Sequence, residues 1–103
     1  MEVIYKDGST STFSEGGAFH SGDLAIERMR LITAKSALDI YIKYQGKMEL
    51  TRNGARNAIQ NVIEPLTGKT YKRSMKGKQE ALDDCIQLIS VLEYEAVVYE
   101  EED

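Results

Sequence analysis

Apolar residues recur at three- and four-residue intervals in three separate stretches of this chain, and no other feature restricts its fold as much. Ala34, Ala37, Leu38, Tyr41 and Ile42 form the first stripe, Ala55, Ala58, Ile59, Val62, Ile63 and Leu66 the second, and Leu82, Cys85, Ile89 and Leu92 the third. At 3.6 residues per turn each set falls on one side of a helix and must be covered by another element. Thr33 is placed to cap the first helix and Gly46 to end it. Either Thr51 or Asn53 caps the second. That helix should end or kink at Glu64, ahead of Gly68, because Pro65 lacks an amide hydrogen and disfavours helical geometry in the residue before it. Ser74 or the residues near Gly77 begin the third, with Glu80, Asp83 and Asp84 near its amino end to oppose the positive pole of the helix dipole.

The two ends of the chain follow a different pattern. EVIYKDGSTSTF at residues 2–13 has β-favouring runs on both sides of Asp7-Gly8, a pair suited to a type I′ turn, and predicts a hairpin. Residues 14–22 are rich in glycine and serine and read as a surface loop, with Phe19 as the one side chain able to pack inward. Residues 24–32 fit either period and are read as a strand. The segment 96–99 supplies a last strand whose natural mate is the amino-terminal hairpin. The expected fold is α+β: a small antiparallel sheet, from the N-terminal hairpin plus a C-terminal strand, packed with three helices. It forms a single domain over 1–103, with hairpin, loop and strand in 2–32, three helices in 33–93, and strand and acidic tail in 94–103.

With 103 residues, 42% of them apolar, the chain can close a modest core without disulfides or metal. Its single cysteine, Cys85, lies in the apolar run CIQLISVL and reads as a buried, inert hydrophobe. A reducing, cytoplasmic setting follows. No leader pattern or membrane-length apolar run is visible, so no membrane partner is expected.

Charge is segregated along the sequence. Residues 52–78 carry seven basic residues against one acid, Glu64, while residues 79–103 carry nine acids and no base, within a net charge of −4. A positive end of this kind draws in anions. The segment TGKTYKRSMKGK (67–78) sets cations and Tyr71 between two helices, where backbone amides add to the potential. Arg52 and Arg56 are spaced one helical turn apart and can join it. The candidate ligand-binding residues are Arg52, Arg56, Lys69, Tyr71, Lys72, Arg73 and Lys76, with Tyr71 offering a stacking surface to a base. If about four of these cations neutralise phosphates of DNA, the log–log salt slope should be near −3.6. The competing reading is a solvated connector whose cations satisfy the chain's own acids or those of a neighbouring subunit.

Other constellations carry less. Gly68-Lys69-Thr70 resembles the end of a phosphate-binding P-loop, but Ile63 stands where that pattern needs glycine, and a helix precedes it. His20, the only histidine, has no ligand at metal-site spacing, so no metal or other cofactor is assigned. Asp83 and Asp84 are adjacent on a helix and diverge by about 100°. Tyr41 and Tyr44 suit a core edge or a dimer surface. No nucleophile, base and electrophile set emerges, and an enzyme is not expected.

Residues 31–93, read as a helix, a GKMELTR link, a second helix, a TGKTYKR link and a third helix, resemble small uncharacterised phage and prophage proteins. The resemblance implies a viral or mobile-element origin and a host-cytoplasmic setting, where compact non-enzymatic binders of host factors, nucleic acid or signalling nucleotides are common. It brings no assigned activity or site. The expected function is therefore a non-enzymatic phage-type accessory protein that binds nucleic acid or a nucleotide through its basic patch. The alternative is a host-defence inhibitor that acts on a host protein, or mimics nucleic acid, through its acidic residues 93–103. Self-association into a homo-oligomer is expected in either case.

Overall fold

The structure, a computed structural model, describes residues 1–49 and 51–99. Within them, strands β1 (Glu2–Ile4), β2 (Thr10–Ser14), β3 (Gly17–Ser21) and β4 (Val97–Tyr99) form one antiparallel sheet in the order β3-β2-β1-β4. Helix α1 spans Asp23–Lys43 and α3 spans Met75–Tyr94. Between them, residues 54–67 make a composite helix, α2, with an α-helical start at Gly54–Ala58, a π-helical turn at Ile59–Ile63 and an α-helical end at Glu64–Thr67. The architecture is the expected α+β arrangement, and β4 pairs with β1 as its sequence suggested.

The first hairpin closes differently from expectation. The Tyr5 amide donates to the Ser9 carbonyl at 2.8 Å and the Gly8 amide to the Tyr5 carbonyl at 2.9 Å. Gly8 has φ +87° while Asp7 stays on the negative side, so the link is a three-residue loop with a glycine bulge and not a type I′ turn. Asp7 has another task. Its carboxylate accepts from the Ser9 hydroxyl at 2.6 Å, the Ser9 amide at 2.9 Å and the Leu24 amide at 3.3 Å.

Those contacts explain the largest departure from the sequence reading, because residues 24–32 are helix and not strand. Gly22, which precedes α1, has no side chain with which to cap it. The hairpin supplies the caps: Asp7 takes the Leu24 amide, and the Ser9 hydroxyl takes the buried Ala25 amide at 3.0 Å. The approach is so close that a Cβ on Gly22 would collide with Ser9. Thr33 is therefore mid-helix, its hydroxyl donating to the Met29 carbonyl at 3.0 Å, and caps nothing. At the far end Tyr44 and not Gly46 is the C-cap; left-handed Gln45 (φ 53°) turns the chain, and Gly46 (φ 79°) follows with its amide on the Tyr41 carbonyl at 2.7 Å.

The glycine-rich segment 14–22 is also not a loop. Glu15-Gly16 is the turn of a second hairpin, and β3 runs antiparallel to β2 with Thr12 opposite Phe19 and Ser11 opposite His20. Val3, Tyr5 and Phe13 pack with Ala25 on the helix side of the sheet. Phe19, in register with Thr12, points to the other side and is 71% exposed, so it does not pack inward.

Neither cap candidate of α2 acts through its side chain. Asn53 occupies the N-cap position in the left-handed region (φ 56°), and the Ala55 amide donates to Glu49 Oε1 at 3.2 Å instead. Pro65 does not end the helix: at Glu64, where an end or a kink was expected, the π-helical turn gives way to a last α-helical turn. The π turn ahead of it, in which the Glu64 amide reaches back five residues to the Ile59 carbonyl, takes up one extra residue, and the proline ring enters without meeting the preceding turn. The helix then stops at left-handed Gly68 (φ 72°). Ser74 caps α3, its hydroxyl accepting from the Gly77 amide at 3.2 Å. Glu80, Asp83 and Asp84 lie beyond the first turn of α3, which contains Lys76 and Lys78 and no acid, so the expected acidic complement to the dipole is absent there.

The main core joins the three helical stripes through Leu31, Leu38, Ile63, Leu82, Cys85 and their neighbours. Cys85 is fully buried as expected. Its thiol donates to the Leu31 carbonyl at 3.2 Å, and burial pushes its pKa up to about 11, which keeps it protonated and inert. Among the described residues no helix is long and apolar enough to cross a membrane.

Candidate anion-binding cleft

The 68–74 connector is held in one course by three devices. Gly68 turns it out of α2. Tyr71 and Lys69 then tie it to α3, the Tyr71 hydroxyl donating to Asp84 Oδ2 at 2.6 Å and Lys69 Nζ to the same oxygen at 3.1 Å. Gly77 completes the docking: the Lys72 carbonyl lies where its Cβ would be, so only glycine lets the backbones come so near. Burial, and after it the hydrogen bond to Asp84, push the Tyr71 pKa up to about 12. The Tyr71 hydroxyl, and secondarily Lys69, hold the Asp84 carboxyl below its ordinary range.

So placed, Tyr71, Lys72 and Arg73 line a cleft of ≈ 330 Å³ that is also lined by Arg56, Gln60 and Glu64 from α2. Tyr41, at the end of α1, and Glu49 complete it, with Lys78 in the wall. Lys78 is only 8% exposed. Its ammonium donates to the Arg73 carbonyl at 2.6 Å and sits 4.8 Å from the centre of the Tyr41 ring. Among the described residues, none of Arg56, Lys72, Arg73 and Lys78 takes part in an ion pair; the lysines and arginines that do are Lys6, Arg28, Lys35 and Lys69. Four cations thus face one concavity with two carboxylates, Glu49 and Glu64.

The structure therefore divides the residues singled out by sequence. Arg56, Tyr71, Lys72 and Arg73 come together. Arg52 precedes α2 and shares no helix face with Arg56, Lys76 is exposed on the first turn of α3, and Lys69 is committed to Asp84; these three do not line the cleft. Tyr71 contributes to the wall, but its hydroxyl is spent on Asp84 and on Thr67 Oγ1, the latter at 3.2 Å, and the residue is half-buried. Sequence reasoning missed Lys78, Tyr41, Glu49 and Glu64 as site residues. Of these only Lys78 left a trace, as a lysine on the buried side of an otherwise apolar stripe, four residues before Leu82.

A second polar group lies in the sheet. Ser11 Oγ and His20 Nδ1 are 2.7 Å apart, the Tyr5 hydroxyl is 3.1 Å from the same serine, and the Phe13 ring meets His20 edge-on at 5.7 Å. His20 is thus in a strand and paired, not in a loop. Ser11 is fully buried, so the pair serves the packing of three strands and does not expose a nucleophile. No cluster of three metal-ligating side chains occurs among the described residues. No family model, no curated protein and no solved structure matches the chain.

Proposed function

We propose that this protein is a non-enzymatic accessory protein that binds a phosphate-bearing ligand, nucleic acid or nucleotide, in the cleft between α2 and the 68–74 connector. The observation that carries the reading is the convergence of Arg56, Lys72 and Arg73 beside buried Lys78 with no carboxylate paired to any of them among the described residues. Buried or convergent charge without a counter-ion is unfavourable in the empty protein, and an anion relieves it.

The test is fluorescence polarisation in low salt with labelled DNA, RNA and nucleotides. At least one class should bind, and the triple variant Arg56→Gln/Lys72→Gln/Arg73→Gln should bind at least about tenfold more weakly. On a duplex, three exposed cations give a log–log salt slope of about −2.7. Absence of binding to every probe overturns the reading.

The inhibitor reading has less behind it. Glu93 is paired with Arg28 at 2.8 Å and Glu95 with Lys6 at 3.5 Å, and residues 100–103, which hold the rest of the acidic tail, lie outside the described residues. Self-association is proposed through the outer edges of β3 and β4, the two margins of the sheet. Light scattering that shows a monomer from low to high salt removes it.

A further inference from the structure

From the charge and depth of the cleft we infer that its ligand is a phosphate monoester of about mononucleotide size, with the dianionic terminal phosphate seated on Lys78. The inference rests on the phosphate-binding reading and narrows it. Lys78 is the most buried cation in the cleft, and its ammonium has three donors, of which the Arg73 carbonyl takes one and the face of Tyr41 another. At least one donor and the full charge are left for an anion in the cleft. A cation so deep is within reach of a phosphate at the end of a molecule. An internal phosphodiester, flanked on both sides by sugar and by further phosphates, would have to bring those groups into the same ≈ 330 Å³ to reach it.

The charges agree with that reach. Four cations against two carboxylates leave an excess of two positive charges, which one phosphate monoester, with a second pKa near 6, neutralises at pH 7. A phosphodiester carries one charge per phosphate and would leave the site half-compensated. Half-buried Glu64 adds selectivity of a second kind, since a carboxylate in the wall repels a continuing polyanion and accepts from hydroxyl or amino groups of a nucleoside. A volume of ≈ 330 Å³ lies at the small end of ligand sites, which suits one nucleotide unit.

The monoester could arrive as a free nucleotide or as the 5′-phosphorylated end of a strand, and titration calorimetry on the full chain separates the two. The probes are inorganic phosphate, 5′-AMP, adenosine, 3′,5′-cyclic AMP, and single-stranded oligonucleotides with a 5′-phosphate or a 5′-hydroxyl. Expected are binding of 5′-AMP or the 5′-phosphorylated strand, and at least about tenfold weaker binding of adenosine, the cyclic diester and the 5′-hydroxyl strand. Affinity should fall about tenfold from pH 7 to pH 5 as the phosphate becomes monoanionic. Lys78→Met should weaken binding about ten- to hundredfold while Lys76→Met leaves it unchanged; if Lys78→Met does not fold, exposed Lys72→Gln and Arg73→Gln carry the same comparison. Equal binding of diester and monoester, or of the two strand ends, overturns the inference and leaves the phosphate-binding reading intact. Failure of every phosphate compound to bind removes both.

Discussion

The two long helices of this protein begin in opposite ways. At the start of α1 the first turn holds Asp23, and the hairpin adds the Asp7 carboxylate and the Ser9 hydroxyl, so the exposed amides and the positive pole of the dipole are both satisfied by the protein itself. At the start of α3 the helix has its own Ser74 cap but places Lys76 and Lys78 in the first turn, where positive charge is unfavourable. The first arrangement serves stability alone. The second places positive charge at the positive end of a helix dipole, beside the cleft, and local inconsistencies of this kind are found at functional sites as well as at strained ones.

Both starts depend on a glycine that lets backbones touch, so the largest effects should come from filling those positions. Gly22→Ala meets Ser9 and strains a residue at φ +98°, and should cost about 2–4 kcal/mol in urea unfolding. Gly77→Ala meets the Lys72 carbonyl and should cost a similar amount, about 2–3 kcal/mol. The two should part in function. Displacing the connector moves Lys72 and Arg73, so Gly77→Ala loses phosphate binding even under conditions where it remains folded, whereas folded Gly22→Ala keeps it. If both variants retain binding, the connector does not form the site.

One step smaller are the caps. Ser9→Ala strands the buried Ala25 amide and removes a partner of Asp7, an expected loss of about 1–2 kcal/mol. Ser74→Ala takes from the Gly77 amide a 3.2 Å acceptor and strands no second partner, and should lose about 1 kcal/mol or less. An equal loss at both positions would mean that the hairpin contributes no more to α1 than an ordinary local cap.

The acid limb of stability should report the same asymmetry. Hydrogen bonds from the Ser9 hydroxyl, the Ser9 amide and the Leu24 amide hold the Asp7 carboxyl below its ordinary range. A carboxyl depressed by folding contributes fully above its unfolded value, near 3.9, and the contribution drains away as pH falls through the lower folded value. Asp7→Asn should therefore lower stability at pH 7 and flatten the decline between roughly pH 5 and the acid midpoint. At the connector the sign reverses for Tyr71: its pKa of about 12 means that the contribution is whole below pH 10 and is lost as pH rises through 12. Tyr71→Phe should flatten that alkaline limb and, by removing the main hydrogen bond that depresses Asp84, weaken the Asp84 share of the acid limb while leaving the Asp7 share in place.

How much of this was legible in the sequence follows from where each signal resides. The stripe of α3 and its Ser74 cap are local, and both were readable. The first ten residues of α1 were not, because their capping groups come from Asp7 and Ser9 on another element and Gly22 resembles loop punctuation. Strand β3 was hidden for a similar reason: glycine and serine dominate its surroundings, and only pairing with β2 makes it a strand. Charge segregation singled out Arg56, Lys72 and Arg73, which the structure brings into one cleft. It could not separate Lys69 or Lys78 from them, since one is neutralised by Asp84 and the other is buried by Tyr41, and both partners lie outside the segment that suggested the patch.

The smallest expected effect is the sharpest test of that distinction. Lys76 belongs to the same first turn of α3 as Lys78 but is exposed and outside the cleft wall. Lys76→Glu brings a negative charge to the positive pole of the helix and should stabilise by ~0.5 kcal/mol at low salt. Its effect on phosphate affinity can act only through the long-range field, so it should be within about twofold and vanish at 0.15 M salt, where screening extends over roughly 8 Å. Lys72→Glu, which places the same charge in the wall, should bring no gain in stability and at least about tenfold weaker binding. If the two variants lose affinity equally and recover it equally in salt, the ligand responds to the overall positive end of the molecule. In that case the convergence of Arg56, Lys72, Arg73 and Lys78 has no separate part in holding it.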